Sequence, residues 1–138
     1  MRIQTTTHDY IFIDKQKVYT SKVSSRKIFF YNNWAIKMED IKFSDLGQCV
    51  TEYEVWMRLD QDDRKYFAPI LAHRFTKNRQ YVIQPKLEFG NYSKLAKKKI
   101  YHNIIEPLSK KYDLMDIVDD ANWDIQKNGE PIIYDYGI

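Results

Sequence analysis

The first forty residues alternate between short segments of β-branched and aromatic residues and polar pairs such as Asn32-Asn33. Segments of this kind, bounded by turn-forming residues, are typical of β-strands. They predict four strands, at about 10–13, 16–19, 26–31 and 34–38. We expect these strands to form one antiparallel meander.

The next segment changes from an alternating to a helical period. Its apolar residues recur at spacings of three and four: Leu46, Cys49, Val50, Tyr53, Trp56 and Met57. This spacing predicts a helix from Ser44, a suitable N-cap, to about Leu59. Two further β-rich segments, at 64–75 and 80–84, predict a hairpin, in which Pro69 marks a break or an edge position of the first arm.

A second helical stripe covers Ser93 to Tyr112 and is interrupted by Pro107. Proline lacks an amide hydrogen and crowds the preceding turn, so we expect a kink there or a restart with Pro107 at the first helical position. The order of elements is sheet, helix, hairpin, helix, loop and hairpin. This order indicates an α+β fold rather than alternating βαβ units.

The last predicted hairpin joins 123–126 to 131–134 through Asn128-Gly129, a dipeptide that favours a type I′ turn. It brings Asn122 and Asp135 to the same open end. One carboxylate and one amide oxygen there suit Mg²⁺, which prefers oxygen ligands. The alternative is a structural hairpin in which Asp and Asn only form turns.

Composition describes a globular protein. The chain has 138 residues, 43% of them hydrophobic and 30% charged, with a net charge of +3. We expect a single domain, 1–138, with its own core. The single cysteine, Cys49, excludes an internal disulfide, and its place on the apolar helix face predicts a small buried hydrophobe. No apolar segment has the length of a signal peptide or a membrane span, so we expect a cytoplasmic protein without membrane contact.

Four residues in one order resemble the protein-kinase-like superfamily. Trp34-Ala35-Ile36-Lys37 is similar to its third-strand lysine motif, Glu52 stands in the following helix, and Asn122 and Asp135-Tyr136-Gly137 complete the set. The resemblance implies that Lys37 holds nucleotide phosphates, Glu52 orients Lys37, and Asn122 and Asp135 bind magnesium. It also implies Mg-ATP as a ligand. The implied fold is a minimal kinase-like fold: an antiparallel N-lobe sheet with one helix at about 1–84, and a reduced C-lobe of helix and hairpin at about 85–138.

A helical wheel supports the choice of Glu52 independently of the resemblance. At 100° per residue Glu52 falls within the apolar arc, whereas Glu54 lies beyond its edge. A half-buried carboxylate needs a cationic partner, and Lys37 is the natural candidate. The alternative is a rim glutamate and a surface lysine that never meet.

The chain departs from the family at two places. Tyr19 to Arg26 replaces the glycine-rich turn and contains no glycine, so Ser21 and Lys22 would contact phosphate through side chains instead of amides. The family's base in Asp-x-x-x-x-Asn falls on Ile117, which leaves Asp116, one residue out of register, as the substitute. The segment around Gln84 takes the place of the hinge that faces the adenine.

The resemblance ends at Asp135-Tyr136-Gly137, so the family's peptide-substrate platform has no counterpart before Ile138. The short form is similar to small kinase-like proteins of bacteriophages, which would imply the host cytoplasm. Three functions remain: a pseudokinase-like regulatory module with a protein partner, a minimal phosphotransferase acting on a small or partner-presented substrate, and a nucleic-acid-binding protein. The third would use the basic helix that carries Lys94, Lys97, Lys98 and Lys99.

Overall fold

The computed structural model describes residues 1–6, 8–23, 26–40 and 47–137, with only the backbone of Lys22 and Val23. The chain divides into two compact units. The first comprises Met1–Val50 and Ile70–Lys86, and the second comprises Thr51–Pro69 and Leu87–Ile138. The predicted N-cap Ser44 lies outside the described residues. Among those residues, no helix is both long and apolar enough to cross a bilayer.

The first unit contains two antiparallel sheets. Its strands are β1 (Ile3–Gln4), β2 (Tyr10–Ile13), β3 (Gln16–Tyr19), β4 (Lys22–Val23), β5 (Lys27–Tyr31), β6 (Trp34–Asp40), β7 (Ala72–Phe75) and β8 (Arg79–Pro85). Strands β1 to β3 form one sheet, and the other has the order β4-β5-β6-β8-β7. The four predicted strands are therefore present, but the single meander is wrong because β3 and β5 belong to different sheets.

The core of the first unit explains this division. One face of the five-stranded sheet carries Phe29, Ile36 and Ile83, which lie opposite one another in register. Ile11 and Ile13 of β2 belong to the same buried cluster. Two sheets, each with one apolar face, bury more apolar surface by packing face to face than one wide meander with an exposed apolar face would.

Helix α1 (Gln48–Arg58) belongs to the first unit up to Val50 and to the second from Thr51 onwards. The first arm predicted at 64–75 is mostly wrong, because only Ala72–Phe75 is a strand. Arg64–Tyr66 forms a 3₁₀ turn, and Phe67 makes an isolated parallel bridge to Ile133. Pro69 cannot donate a ladder hydrogen bond, which is consistent with the chain leaving strand geometry before β7 begins.

The predicted long helix of the second unit consists of three parts: α2 (Lys94–Ile100), a π-helical segment (Tyr101–Ile105) and α3 (Glu106–Tyr112). Ser93 caps it by accepting a hydrogen bond from the Ala96 amide. Pro107 lies in the first turn of α3. Proline cannot donate to the carbonyl one turn before it, and the wider π turn accommodates this loss, so the expected irregularity is present.

The C-terminal hairpin pairs β9 (Trp123–Ile125) with β10 (Pro131–Ile133). The expected type I′ turn is wrong. The loop is closed by a hydrogen bond from the Gly129 amide to the Gln126 carbonyl, and Gly129 alone within it has a positive φ, 87°. The Asn128 side chain instead accepts from the Glu130 amide. A three-residue loop with a left-handed glycine is the next most common hairpin connection.

Candidate functional site

In the first unit, Lys37 lies on β6 directly between Ile28 of β5 and Val82 of β8. Ala35 lies opposite Gln84 in the same ladder. Residues in register, and those two positions apart on one strand, share a face of a sheet. Lys37, Gln84 and their neighbours therefore occupy the face opposite to the inter-sheet core. Lys37 is buried, with 6% of its surface exposed, and Gln84 is buried as well.

Ser21 lies directly before β4, in the segment that takes the place of the glycine-rich turn of the superfamily that the sequence resembles. Its amide and its hydroxyl both donate to the carbonyl oxygen of Ile28, at 2.8 and 3.1 Å. The Ser21 hydroxyl is thus bound to the backbone of β5 in this structure. The side chain of Lys22 lies outside the described residues, so the predicted phosphate contact of Lys22 remains a prediction.

In the second unit, Glu52 is completely buried, whereas Glu54 is exposed, as the helical wheel predicts. Oε2 of Glu52 accepts a hydrogen bond of 3.0 Å from the backbone amide of Tyr136. The hydroxyl of Tyr136 donates to the carbonyl of Ala68 at 2.6 Å. Glu52 therefore contacts the Asp-Tyr-Gly segment directly. The predicted ion pair of Glu52 with Lys37, which lies in the first unit, stays a prediction.

Asn122 connects the two arms of the C-terminal hairpin at its open end. Its carbonyl oxygen accepts from the amides of Tyr134 and Asp135, at 3.0 and 3.3 Å. Its side-chain Nδ2 donates to the carbonyl of Asp116 at 2.7 Å. Asn122 is buried and Asp135 is partly buried. Three predicted site residues of the second unit, at 116, 122 and 135, are thus joined by hydrogen bonds through Asn122.

Two positions before Asn122 are candidates for the general base, and they differ in their burial. Asp116 and Ile117 lie in a 3₁₀ turn (Met115–Val118). Ile117, at the register position of the family's base, is 1% exposed and belongs to the core of the second unit. Asp116 is exposed. The position that the resemblance assigns to the base is therefore occupied by a core residue, Ile117. The carboxylate next to it in the sequence, that of Asp116, is exposed.

Negative charge concentrates around the hairpin. Burial, together with the carboxylates of Asp124, Asp135 and Asp119, raises the pKa of the Tyr134 hydroxyl above its ordinary value of 10.0.

The side-chain oxygen of Asn122 is the atom that can bind a cation, because Nδ2 of the same side chain donates to the Asp116 carbonyl. One carboxylate and one amide oxygen fit Mg²⁺, which commonly takes few protein ligands and completes its shell with water and phosphate. No group of three or more histidine, cysteine or acidic residues that could hold a metal occurs among the described residues.

The residue that sequence reasoning left out of the site is Tyr136. It is 2% exposed, and its ring packs edge-to-face on Phe67, with the ring centroids 5.2 Å apart. It links Glu52, the 67–68 segment and the end of the hairpin. Its position directly after Asp135 was the available signal, but a tyrosine in that place does not by itself reveal its hydrogen-bond partners.

Comparisons with known proteins find similarity in structure but not in sequence. No protein-family model matches the chain, and no curated protein matches it by sequence. A 2.2 Å crystal structure of WbdD matches with a TM-score of 0.53 and 15% identity, over 94% of this chain and 35% of that chain. A structure of WbdD, described as a bifunctional kinase-methyltransferase, matches with a TM-score of 0.50 and 14% identity, over 94% and 36%. A co-crystal structure of WbdD with a kinase inhibitor matches with a TM-score of 0.50 and 14% identity, over 94% and 34%.

This chain spans about a third of the length of those WbdD structures. At such low identity the similarity concerns the fold alone. The fold is α+β, with antiparallel sheets, helices and a hairpin, and it partly matches the WbdD structure.

Proposed function

We propose that this chain is a kinase-fold protein that binds a magnesium nucleotide, transfers little or no phosphate, and acts as a regulatory module on a protein partner. The observation that carries this proposal is the hydrogen-bonded connection of Asn122 with Asp135 and Asp116. In a chain whose fold resembles that of a kinase-methyltransferase, this connection joins the two residues that resemble the family's magnesium ligands.

The proposed roles of the site residues are those that the resemblance to the kinase-like superfamily implies. Lys37 binds the nucleotide phosphates, and Gln84 lies where the backbone faces the adenine. Asn122 and Asp135 hold magnesium, which neutralises the phosphate charge when it is bound. Glu52 serves as a positioning residue: its carboxylate fixes the Tyr136 amide and so the chain direction next to Asp135.

Two features support weak or absent phosphate transfer. A general base must come within hydrogen-bond reach of the attacking hydroxyl, and the register position is occupied by Ile117 in the core. The segment from Tyr19 to Arg26 has no glycine, so close approach of several backbone amides to phosphate is sterically disfavoured. Neither the general base nor the glycine-rich turn is needed for nucleotide binding, because the proposed lysine and magnesium contacts do not depend on them.

Calorimetric titration with ATP and ADP, with and without Mg²⁺, tests the binding. We expect a dissociation constant of millimolar or tighter for Mg-ATP, and a strong loss in Lys37→Met and Asp135→Asn. The loss in Asp135→Asn should be small when EDTA replaces Mg²⁺, because this residue acts through the metal. Lys77→Met and Asp62→Asn, at exposed positions, serve as charge-matched controls. Binding weaker than millimolar would make nucleotide an implausible ligand and would overturn the proposal.

A minimal phosphotransferase is the second candidate. One observation favours it: the backbone of Asp116 is fixed by the Asn122 side chain while its carboxylate remains exposed. Asp116 would then serve as the base for a small acceptor. Incubation with Mg-ATP and a panel of small hydroxyl acceptors separates the candidates. Turnover that both Asp116→Asn and Asp135→Ala abolish would establish the enzyme, whereas no turnover across the panel supports the regulatory module.

A further inference from the structure

A cavity of about 450 Å³ opens beside α2 in the second unit, in a part of the molecule that the proposed nucleotide site does not use. Its wall includes three lysines, two aromatic residues and one carboxylate: Lys94, Lys97, Lys98, Tyr101, Trp123 and Asp120. This volume lies within the range of cavities that bind small molecules, roughly 300–1,000 Å³. The cavity is thus larger than an inorganic ion requires.

The lysines reach the cavity because of their helical spacing. Lys94, Lys97 and Lys98, together with Tyr101, stand at i, i+3, i+4 and i+7, which is one face of a helix. A stripe at this spacing is usually apolar and faces a core. Like charges three or four residues apart repel each other. The repulsion along this face would decrease if an anion bound between the ammonium groups.

The surrounding charges neutralise only part of the stripe. Nζ of Lys97 lies 3.3 Å from Oδ1 of Asp124, a partly exposed pair. Lys94 and Lys98 form no ion pair with any residue for which the structure gives a side chain. The cavity wall therefore keeps two ammonium groups for a ligand, with Asp120 as the one acidic group of the wall.

Trp123 lines the cavity, and its indole carries a buried hydrogen-bond donor. The residue is 3% exposed, and its indole Nε1 is buried without a hydrogen-bond partner in the described part of the chain. A buried donor without an acceptor is costly. An oxygen atom of a ligand in the cavity could become its acceptor after a small rearrangement of the wall.

We infer that this cavity binds a small hydroxylated phosphate ester. Lys94 and Lys98 hold the phosphate group as point charges. Asp120 accepts hydrogen bonds from ligand hydroxyl groups, and a carboxylate in the wall disfavours ligands that are anionic over their whole length. Tyr101 and Trp123 contact the carbon skeleton.

A titration with ribose 5-phosphate, followed by ¹H–¹⁵N NMR, tests the inference. The indole resonance of Trp123, assigned with Trp123→Phe, should shift on addition of the ester, and ribose alone should shift it much less. Lys94→Gln/Lys98→Gln should weaken the affinity about tenfold or more, the loss expected for charge-assisted hydrogen bonds. The matched control is Lys99→Gln, since Lys99 is an exposed neighbour on α2 outside the cavity wall. We expect its affinity to stay within about twofold of the original.

The site is also separable from the proposed nucleotide site. Lys37→Met should leave the titration unchanged, so loss of nucleotide binding and loss of ester binding are independent results. The inference is overturned if the indole resonance does not shift at about 10 mM ester, well above a millimolar dissociation constant. It is equally overturned if Lys99→Gln weakens binding as much as Lys94→Gln/Lys98→Gln does. Tight binding of a single-stranded oligonucleotide that depends on both lysines would assign the surface to polyanions and overturn it too.

Discussion

The carboxylate of Glu52 accepts a hydrogen bond of 3.0 Å from the backbone amide of Tyr136, although the two residues stand 84 positions apart. Both residues are almost completely excluded from solvent. The tyrosine is fixed at its other end by the carbonyl of Ala68. Helix α1 and the Asp-Tyr-Gly segment of the second unit are therefore coupled through one buried carboxylate, and this coupling can be measured.

Removal of the Glu52 carboxylate should destabilise the protein. In Glu52→Ala the buried amide of Tyr136 loses its acceptor, which costs about 1–3 kcal/mol in the free energy of unfolding. Glu52→Gln keeps a carbonyl oxygen at this place and should lose less. Urea unfolding measures the difference. Glu54→Ala, at an exposed position of the same helix, is the control and should stay within about 0.5 kcal/mol. Equal losses in the two alanine variants would contradict the coupling.

Asn122 should hold the 3₁₀ turn in place through its side chain. Asn122→Ala removes the hydrogen bond from Nδ2 to the Asp116 carbonyl, and we expect a loss of about 1 kcal/mol in the free energy of unfolding. Amide hydrogen exchange should become faster in Met115–Val118 and remain unchanged in β2. The exposed Asn103 offers a control, Asn103→Ala, which should leave exchange in the turn unaltered. Unchanged exchange in Asn122→Ala would show that the turn does not depend on this bond.

Acid should destabilise the second unit by protonating the carboxyl group of Asp63. Hydrogen bonds from Lys111 and then Tyr112 hold the pKa of the Asp63 carboxyl below its ordinary value of 3.8. A carboxyl whose pKa is depressed by folding contributes stability above its ordinary pKa and loses it as the pH falls through the folded value. Below about pH 4 the midpoint temperature of thermal unfolding should therefore decrease. It should decrease more steeply with falling pH in the original protein than in Asp63→Asn. Asp62→Asn, at the exposed neighbouring position, should keep the original slope; parallel slopes for Asp63→Asn would refute this role.

An aspartate at position 117, where the resemblance to the kinase-like superfamily would put the base, should destabilise the protein. Ile117 is a core residue, so Ile117→Asp places a carboxylate in an apolar environment and should cost more than about 4 kcal/mol of stability. Thermal unfolding measures this loss. Met115→Asp, at a position that is 79% exposed in the same turn, should change little. A stable Ile117→Asp variant that transfers phosphate from ATP would show that the loop can move this position out of the core.

Local pattern was sufficient for most elements of the fold. The strands at Tyr10–Ile13 and Gln16–Tyr19 begin and end as the alternation predicts, since period and turn residues are properties of neighbouring positions. The wheel position of Glu52 predicted its burial for the same reason. The turn type was harder to predict from the sequence. Asn128-Gly129 favours a type I′ turn by propensity, yet the two consecutive positive φ angles that such a turn requires occur at Asp14 and Lys15. The strand register on each side decides the number of loop residues, and register depends on both strands at once.

The sequence by itself determined the order of most strands and helices, the burial of Cys49 and Glu52 on one helix face, and the convergence of Asn122 and Asp135 at the end of a hairpin. Only the tertiary structure decided that the strands form two sheets, that Ile117 fills a core, and that Tyr136 is the hydrogen-bond partner of Glu52. These three results join positions far apart in the chain. Periodicity and spacing report which way a side chain points, but the partner it meets depends on how separate elements pack.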